Sequence, residues 1–345
     1  MRMQRLLIRF SLMLIGLAAL IGFGARADDG PPVAIRLVLE RPLDGSMAPL
    51  VLADSRGLFG AERVTVATTS AKGPADAIAR VAAGEADLAL ADINELVRFH
   101  DEPGKPAVKA VFVLFNRAPY AIVARRSRDI HTLSDLDGKT VGVAEGDLSI
   151  RLWPAVARHN AIKSAELKFA KVGAAVREPI LSAGQVDAVT GFSYLSAVNL
   201  RDRGVPANDL AVLNFSDYGC EAYGLAVIAS PAFAAAQPQA VRGFVRALIG
   251  GLHLSISDPA GAAAAVVSRM DDGSRELELE RLKAVLADNI LTPEVRRNGI
   301  GAIDPLRMER AIDQIAEDHK FRKRPGAADI FDDSFLPPVD GRLIN

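Results

Sequence analysis

The side chain best suited to binding a small molecule is Arg41, which follows the first predicted strand, where Ile35, Leu37 and Leu39 alternate with other residues. Its guanidinium offers a planar fork of N–H donors, which matches the two oxygens of a carboxylate or sulfonate in a charge-assisted pair. We therefore expect Arg41 to pair with an anionic ligand group. The alternative, a solvated arginine at a strand end, stays open at this point.

Other candidate ligand-binding residues lie at the ends of predicted strands or at the starts of predicted helices. They are Asp44, Ser46, Ser70, Asp92, Asn94, Asn116, Gly146, Asp147, Ser149, Tyr194, Tyr218 and Glu221. In open α/β sheets, ligands bind outside the carboxyl ends of the strands. Helix starts at this edge expose N–H groups that favour anions. Asp92, Asn94, Asp147 and Ser149 are equally typical of helix caps, so capping competes with ligand binding at these four positions.

Two aromatic residues at one strand end, Phe192 and Tyr194, suggest a wall of the site. Aromatic residues at strand ends also pack into cores, so both interpretations apply. Tyr120 and Tyr218 are further aromatic residues, and packing without ligand contact is the alternative at both positions.

The sequence contains no pattern typical of a catalytic or metal centre. Cys220 is the only cysteine, which excludes an internal disulfide and a multi-cysteine metal site. The five histidines are not spaced as metal ligands, and G-x-S-x-G, P-loop and dinucleotide-binding motifs do not occur. We therefore expect no catalytic residue, no metal, no cofactor and no enzymatic activity.

The predicted elements alternate between strand and helix in two successive series. The first series has strands at 35–39, 64–66, 86–91 and 108–115 with helices at 47–56, 74–83 and 93–99. The second has strands at 139–144, 167–172 and 186–190 with helices at 149–159, 174–183 and 194–203. This order predicts largely parallel sheets covered on both faces. The pattern is helical from 238 to 316, and the segment from Arg324, rich in Pro, Gly and Asp, predicts an extended strap on the surface.

The first 27 residues are typical of a secretory signal peptide. Three arginines precede an apolar run at 10–23, and Ala25-Arg26-Ala27 forms a small-residue cleavage pattern. The run is shorter than the roughly 20 residues that span a bilayer. We expect cleavage after Ala27 and a periplasmic protein. The net charge of −1 argues against nucleic acid as a partner, and we expect a monomer.

Four segments, in this order, resemble type II solute-binding proteins: LSDLDGKTVGV at 133–143, GQVDA at 184–188, DYG at 217–219 and PQAVRGFVRA at 238–247. The resemblance covers nearly the whole mature chain. It is strongest to the branch that holds aliphatic-sulfonate, taurine, nitrate and thiamine-pyrimidine binders.

The resemblance implies an α/β, two-lobed type II periplasmic-binding-protein fold with mixed sheets, helices on both faces and a helical C-terminal part. Lobe one would comprise 28–118 and 224–345, and lobe two 119–223, with crossings near 117–120 and 217–223. It further implies a periplasmic component of an ABC importer that captures a sulfonate, a carboxylate or a thiamine-precursor pyrimidine. Its partners would be the small-molecule ligand and the permease and ATPase of the inner membrane.

An enzyme of the same branch, the thiamine-pyrimidine synthase, is the alternative. That enzyme uses a cysteine-rich run, an active-site lysine and histidine, and iron. In this sequence the corresponding run at 218–224 contains Cys220 alone, and Ala91 and Glu95 stand where the lysine and histidine would fall. A third class, the effector domain of a transcription factor, would need a helix-turn-helix and no secretory start.

Overall fold

A computed structural model describes residues 30–163 and 167–344. The predicted signal peptide, residues 1–27, lies outside the described residues. Within them, no helix is both long enough and apolar enough to span a membrane.

The strands form two separate five-stranded sheets. In chain order they are β1 (Val33–Leu39), β2 (Val64–Ser70), β3 (Leu88–Asp92), β4 (Lys109–Val113), β5 (Tyr120–Arg125), β6 (Thr140–Ala144), β7 (Lys168–Val172), β8 (Ala188–Phe192), β9 (Leu210–Asn214) and β10 (Leu225–Ala229). The first sheet has the order β2-β1-β3-β10-β4 and the second has the order β7-β6-β8-β5-β9. The first sheet therefore takes β10 from beyond the second sheet, and the chain passes twice between the sheets.

Both sheets are mixed. β1 runs parallel to β2 and β3, whereas β10 is antiparallel to β3 and β4. In the second sheet β6 is parallel to β7 and β8, and β5 is antiparallel to β8 and β9. This confirms the mixed sheets of the expected fold and corrects the largely parallel sheets that strand-helix alternation alone predicts. The pattern misses β5, β9 and β10. β5 and β10 are buried along nearly their whole length, so they lack a two-residue alternation, and β9 is an edge strand of five residues.

Helices cover the sheets and make up the C-terminal part, as expected. In chain order they are α1 (Ala48–Ser55), α2 (Leu58–Ala61), α3 (Pro74–Ala82), α4 (Ile93–Phe99), α5 (Leu148–His159), α6 (Arg177–Ser182), α7 (Ser193–Asp202), α8 (Pro231–Ala236), α9 (Pro238–Ser257), α10 (Pro259–Val267), α11 (Arg275–Val285), α12 (Pro293–Asn298), α13 (Pro305–Ile315) and α14 (Ala327–Ile330). A π-helical turn at Leu286–Ile290 follows α11.

The longest helix, α9, packs closely against α1. Its apolar residues Val241, Phe244 and Leu248 are buried, in agreement with the helical spacing of the sequence. A glycine makes the contact with α1 possible, because a Cβ built on Gly251 would lie 2.0 Å from the carbonyl oxygen of Pro49. The two helix backbones therefore touch at this point.

The C-terminal tail differs from the extended strap that its composition predicts. It forms short helical turns, and Ile330, Phe331 and Phe335 are buried. Phe331 forms a parallel bridge with Ala110 of β4, and the N–H of Asp332 donates to the carbonyl of Ala110 at 2.9 Å. A few apolar residues within a Pro- and Gly-rich segment are enough to dock it on the edge of the first sheet.

Candidate functional site

A cavity of about 330 Å³ lies between the two sheets, where the carboxyl ends of their parallel strands meet. Its wall includes Glu40 and Arg41 after β1, and the segment Glu145 to Leu148 after β6. Arg177 of α6 and Phe192 at the end of β8 complete its charged and aromatic lining. A larger cavity of about 560 Å³ is lined only by residues from 302 to 342, away from the strand ends. We take the smaller cavity as the candidate site.

Arg41 is held by protein acceptors on several sides. Its Nε donates to Asp44 at 3.3 Å, and one Nη donates to the carboxyl group of Glu40. The other Nη donates to the hydroxyls of Tyr194 at 2.5 Å and Ser46 at 3.3 Å. Four of its five N–H groups are thus used within the protein. The guanidinium fork that the sequence suggests for a ligand anion is largely occupied in this structure.

Arg41 also joins the two sides of the cavity. Its guanidinium carbon lies 5.2 Å from the ring centre of Phe192 and 5.9 Å from that of Tyr194. Phe192 is the last residue of β8 in the second sheet, and Tyr194 lies in α7, which follows β8. Phe192 lines the cavity, whereas Tyr194 is fully buried and packs edge-on against Phe115 at 6.3 Å. The expected aromatic wall is therefore Phe192, and Tyr194 supports Arg41 from behind.

Burial changes the protonation of this cluster. It raises the pKa of Glu40 to about 7, although Arg41 opposes the shift, and the nearby carboxyl group of Asp92 adds to it. Burial lowers the pKa of Arg41, but its interactions with Tyr194, Asp44 and Glu40 outweigh burial and raise that pKa above its ordinary value. Arg41 therefore stays charged while Glu40 titrates near neutrality.

A second buried arginine, Arg177, faces the cavity from the second sheet. It donates to Asp147 at 3.1 Å and to Glu178 at 2.9 Å. The hydroxyl of Thr190 donates to Asp147 at 2.6 Å, and that of Ser196 to Glu178 at 2.7 Å. Both cavity arginines thus lie between two carboxyl groups.

Arg177 is absent from the candidates that the sequence suggests, although a signal for it exists. The same carboxyl-end rule that selects Arg41 applies to the loop after Val172, which leads through Gly173 into α6. Gly191 makes room for this side chain, since a Cβ there would lie 2.9 Å from the guanidinium carbon of Arg177 and 2.7 Å from the hydroxyl of Ser196.

Helix capping accounts for the three aspartate candidates. Asp44 accepts from the backbone N–H of Ser46 at 2.8 Å, Asp92 from that of Asn94 at 2.8 Å, and Asp147 from that of Ser149 at 2.9 Å. At each of these helix starts the aspartate carboxylate accepts from the N–H groups that an anionic ligand group would otherwise bind. Of the candidates, Arg41, Gly146 and Asp147 line the cavity, and Asp44, Ser46, Ser149 and Tyr194 lie directly behind them.

Asp92 and Asn94 belong to a buried network away from the cavity wall. Asp92 accepts from the hydroxyl of Tyr120 at 2.6 Å, and Asn94 donates to the backbone carbonyl of Tyr223 at 2.6 Å. Burial raises the pKa of Asp92 and also that of Tyr120. Because Tyr120 and Tyr223 lie on the two crossings, this network fastens both crossings to the end of β3.

The remaining candidates lie elsewhere. Asn116 and Glu221 line a polar cavity of about 370 Å³ at the crossings, where Arg307 donates to the side-chain oxygen of Asn116 at 3.1 Å. The backbone carbonyl of Tyr218 accepts from Asn160, and Ser70 is exposed at the end of β2. The cavity between the sheets is not lined by any of these four residues.

Comparison with known proteins gives a family match. The family model described as "NMT1/THI5 like" matches residues 44–262. Riboflavin-binding protein RibY of Chloroflexus aurantiacus is 29% identical over 154 residues, which are 44% of this chain and 42% of that protein. 4-Amino-5-hydroxymethyl-2-methylpyrimidine phosphate synthase of Legionella pneumophila is 23% identical over 211 residues, 61% of this chain and 66% of the enzyme. The chain thus spans less than two thirds of the length of these relatives.

The fold is shared with solved binding proteins. The structure of the alkanesulfonate-binding protein SsuA from Xanthomonas axonopodis pv. citri bound to MOPS superposes with a TM-score of 0.64 at 18% identity, covering 88% of this chain and 99% of that one. At this identity the likeness establishes the fold, and the cavity side chains described above are this chain's own.

Proposed function

Because the chain belongs to the NMT1/THI5 like family and has the fold of periplasmic binding proteins, we propose that it is the solute-binding component of an ABC importer. It captures a small organic solute in the cavity between the two sheets. The solute classes that the family suggests are sulfonates, carboxylates and thiamine-precursor pyrimidines.

The observation that carries this proposal is the construction of the cavity from both sheets. Glu40 and Arg41 come from the first sheet, and Asp147, Arg177 and Phe192 from the second. A cavity built in this way opens and closes when two lobes move about their crossings, so a bound solute is enclosed between them.

The proposed lobes are 28–118 with 224–345, and 119–223. Two features support these boundaries: the first sheet takes its strands from 33–113 and 225–229, and the second from 120–214. The crossings near 117–120 and 217–223 would act as the hinge. The permease and ATPase of the inner membrane would recognise the closed form of the protein.

We place the mature protein in the periplasm as a monomer, after cleavage behind Ala27. N-terminal sequencing of protein released by osmotic shock tests this placement. A mature chain that begins at Asp28 is the expected result, and a membrane-bound chain that retains Met1 would contradict it.

A pyrimidine synthase is the second candidate, because three relatives at 23–24% identity have that name. This chain's Cys220 is buried, and burial raises the pKa of its thiol to about 11. Among the described residues, no group of three or more His, Cys, Asp and Glu side chains is arranged to hold a metal.

Two measurements on the same preparation separate the candidates. A thermal-shift panel of sulfonates, carboxylates, pyrimidines and amines should include at least one stabilising solute; at about 100 times its Kd such a solute stabilises the folded protein by about 2.7 kcal/mol. Incubation with iron, pyridoxal phosphate and histidine should give no pyrimidine product by mass spectrometry. Product above that of a heat-killed control would establish the enzyme instead.

A further inference from the structure

We infer that the solute carries a positively charged nitrogen group, which the carboxylate of Glu145 binds at the mouth of the cavity. This inference rests on the proposed function, since it names the chemical class that the same cavity takes. It differs from the expectation that Arg41 pairs with an anion.

The cavity arginines offer little positive charge to a ligand. Arg41 lies against Glu40 and Asp44, and Arg177 against Asp147 and Glu178. The two arginine side chains are only 17% and 14% exposed. Burial raises the pKa of Glu40 to about 7, but Asp44 also lies against Arg41 at 3.3 Å. A sulfonate or carboxylate that approached either guanidinium would therefore meet carboxyl groups beside it.

The helix starts near the cavity are also occupied by carboxylates. Asp44 and Asp147 already cap the helices that follow β1 and β6. Three other helix starts at the cavity have no side-chain cap, those of α3, α6 and α7. The first turns of α3 and α6 each contain a carboxylate, Asp76 and Glu178, whereas the first turn of α7 contains none. Among these described helix starts, that of α7 is therefore the position best suited to an anion.

Glu145 is the ionisable side chain of the cavity wall that remains available. It is exposed and, within the described part of the chain, forms no hydrogen bond or ion pair. Gly146, with a φ of +75°, turns the backbone directly after it and so places Glu145 at the apex of the turn between β6 and α5. The neighbouring wall is apolar and aromatic, from Leu148 and Phe192. A flat apolar body with a cationic nitrogen matches this combination.

The test uses three probes of one shape and different charge: benzamidinium, neutral benzamide and benzoate. Calorimetric titration of the purified protein should show benzamidinium binding at least about tenfold more tightly than benzoate, a difference of about 1.4 kcal/mol. Glu145→Gln should weaken benzamidinium binding about fivefold and leave benzamide binding unchanged. Asp202→Asn, which removes an exposed carboxylate at the end of α7 away from the cavity, is the matched control and should change neither.

Each other outcome has a defined meaning. Tighter binding of benzoate, or a Glu145→Gln protein with an unchanged preference, overturns the cation inference while solute binding itself stands. If none of the three probes binds, the charge of whichever panel solute does bind decides: a cation supports the inference, and a neutral or anionic solute overturns it. If no solute of the panel binds either, the proposed function falls together with the inference.

Discussion

Arg41 is the cation on which the first-sheet side of the cavity depends. Its side chain is 17% exposed and lies against Glu40 and Asp44, and it also donates to Tyr194 from the other side of the cavity. Removing one partner of such a buried pair leaves the other charge without compensation, which costs more than the pair itself contributes.

We expect Arg41→Ala to lower the free energy of unfolding by about 3 kcal/mol, because two carboxyl groups lose their counter-charge in a buried place. Arg41→Lys should restore only part of this, since a point charge cannot serve four acceptors in one plane. Urea denaturation measures both. Arg36→Ala is the control on the same strand: its ion pair with Asp87 is close at 2.7 Å, but the arginine is 56% exposed, so a much smaller effect follows. Equal losses for Arg36→Ala and Arg41→Ala would contradict this account.

The raised pKa of Glu40 predicts a pH dependence of stability. A carboxyl group whose pKa rises from 4.5 to about 7 on folding binds a proton more tightly in the folded state. Its contribution to stability is therefore fully present below about pH 4.5 and is lost as the pH rises through about 7. The groups that face it are Arg41, Asp92 and Asp44.

We expect Glu40→Gln to remove the pH-dependent contribution of Glu40 to the free energy of unfolding. Denaturation curves at pH 5, 6, 7 and 8 should show the wild-type free energy of unfolding decreasing toward pH 8 relative to that of the variant. Burial also raises the pKa of Asp92, but Asp92 is present in both proteins, so the difference between them isolates Glu40. Parallel pH profiles for the two proteins would show that Glu40 titrates in its ordinary range.

Among the elements, α9 and α1 form the closest contact of helix backbones described above. Adjacent glycines in α9 face different neighbours. A Cβ on Gly251 would lie 2.0 Å from the backbone carbonyl of Pro49, whereas a Cβ on Gly250 would lie 2.9 Å from the terminal methyl of Leu58. The backbone of α1 cannot move aside without shifting the helix, but a leucine side chain can rotate.

Gly251→Ala should therefore lower the free energy of unfolding by about 2 kcal/mol, in the range of overpacked cores. Gly250→Ala has the same chemistry one residue away and should be neutral or slightly stabilising, since alanine favours a helix interior by up to about 1 kcal/mol over glycine. Thermal unfolding of the two variants and of the wild-type protein measures the difference in stability. A Gly251→Ala protein as stable as Gly250→Ala would mean that the helices separate at little cost.

The elements also show what the sequence could predict. The sequence predicts helical structure from 238 onward, and α9 extends over Pro238–Ser257, because one buried apolar stripe determines a helix locally. The partners of an element are not determined locally. Arg41 and Tyr194 are 153 positions apart, and the first sheet combines strands from 33–113 with β10 at Leu225–Ala229. For this reason the sequence predicts the strand ends, together with Asp44 and Asp147, but it does not predict that these carboxyl groups pair with the two cavity arginines.

At the scale of the whole molecule, the two sheets share one arrangement, with the antiparallel strand in fourth position in each. β4, at one edge of the first sheet, is covered: Val113 donates to the carbonyl of Gly301, and the tail pairs with Ala110 through Phe331 and Asp332. The C-terminal tail thus occupies hydrogen-bonding groups that an edge strand would otherwise expose.

Covering this edge has a consequence for self-association. Unpaired N–H and C=O groups along an edge strand are a template on which strands of other molecules add. A chain that ends at residue 325 should therefore form oligomers whose size grows with protein concentration in light scattering, while a chain that ends at residue 342 keeps the tail contacts and stays monodisperse. If the shorter chain is also monodisperse at every concentration, the tail has no such protective role.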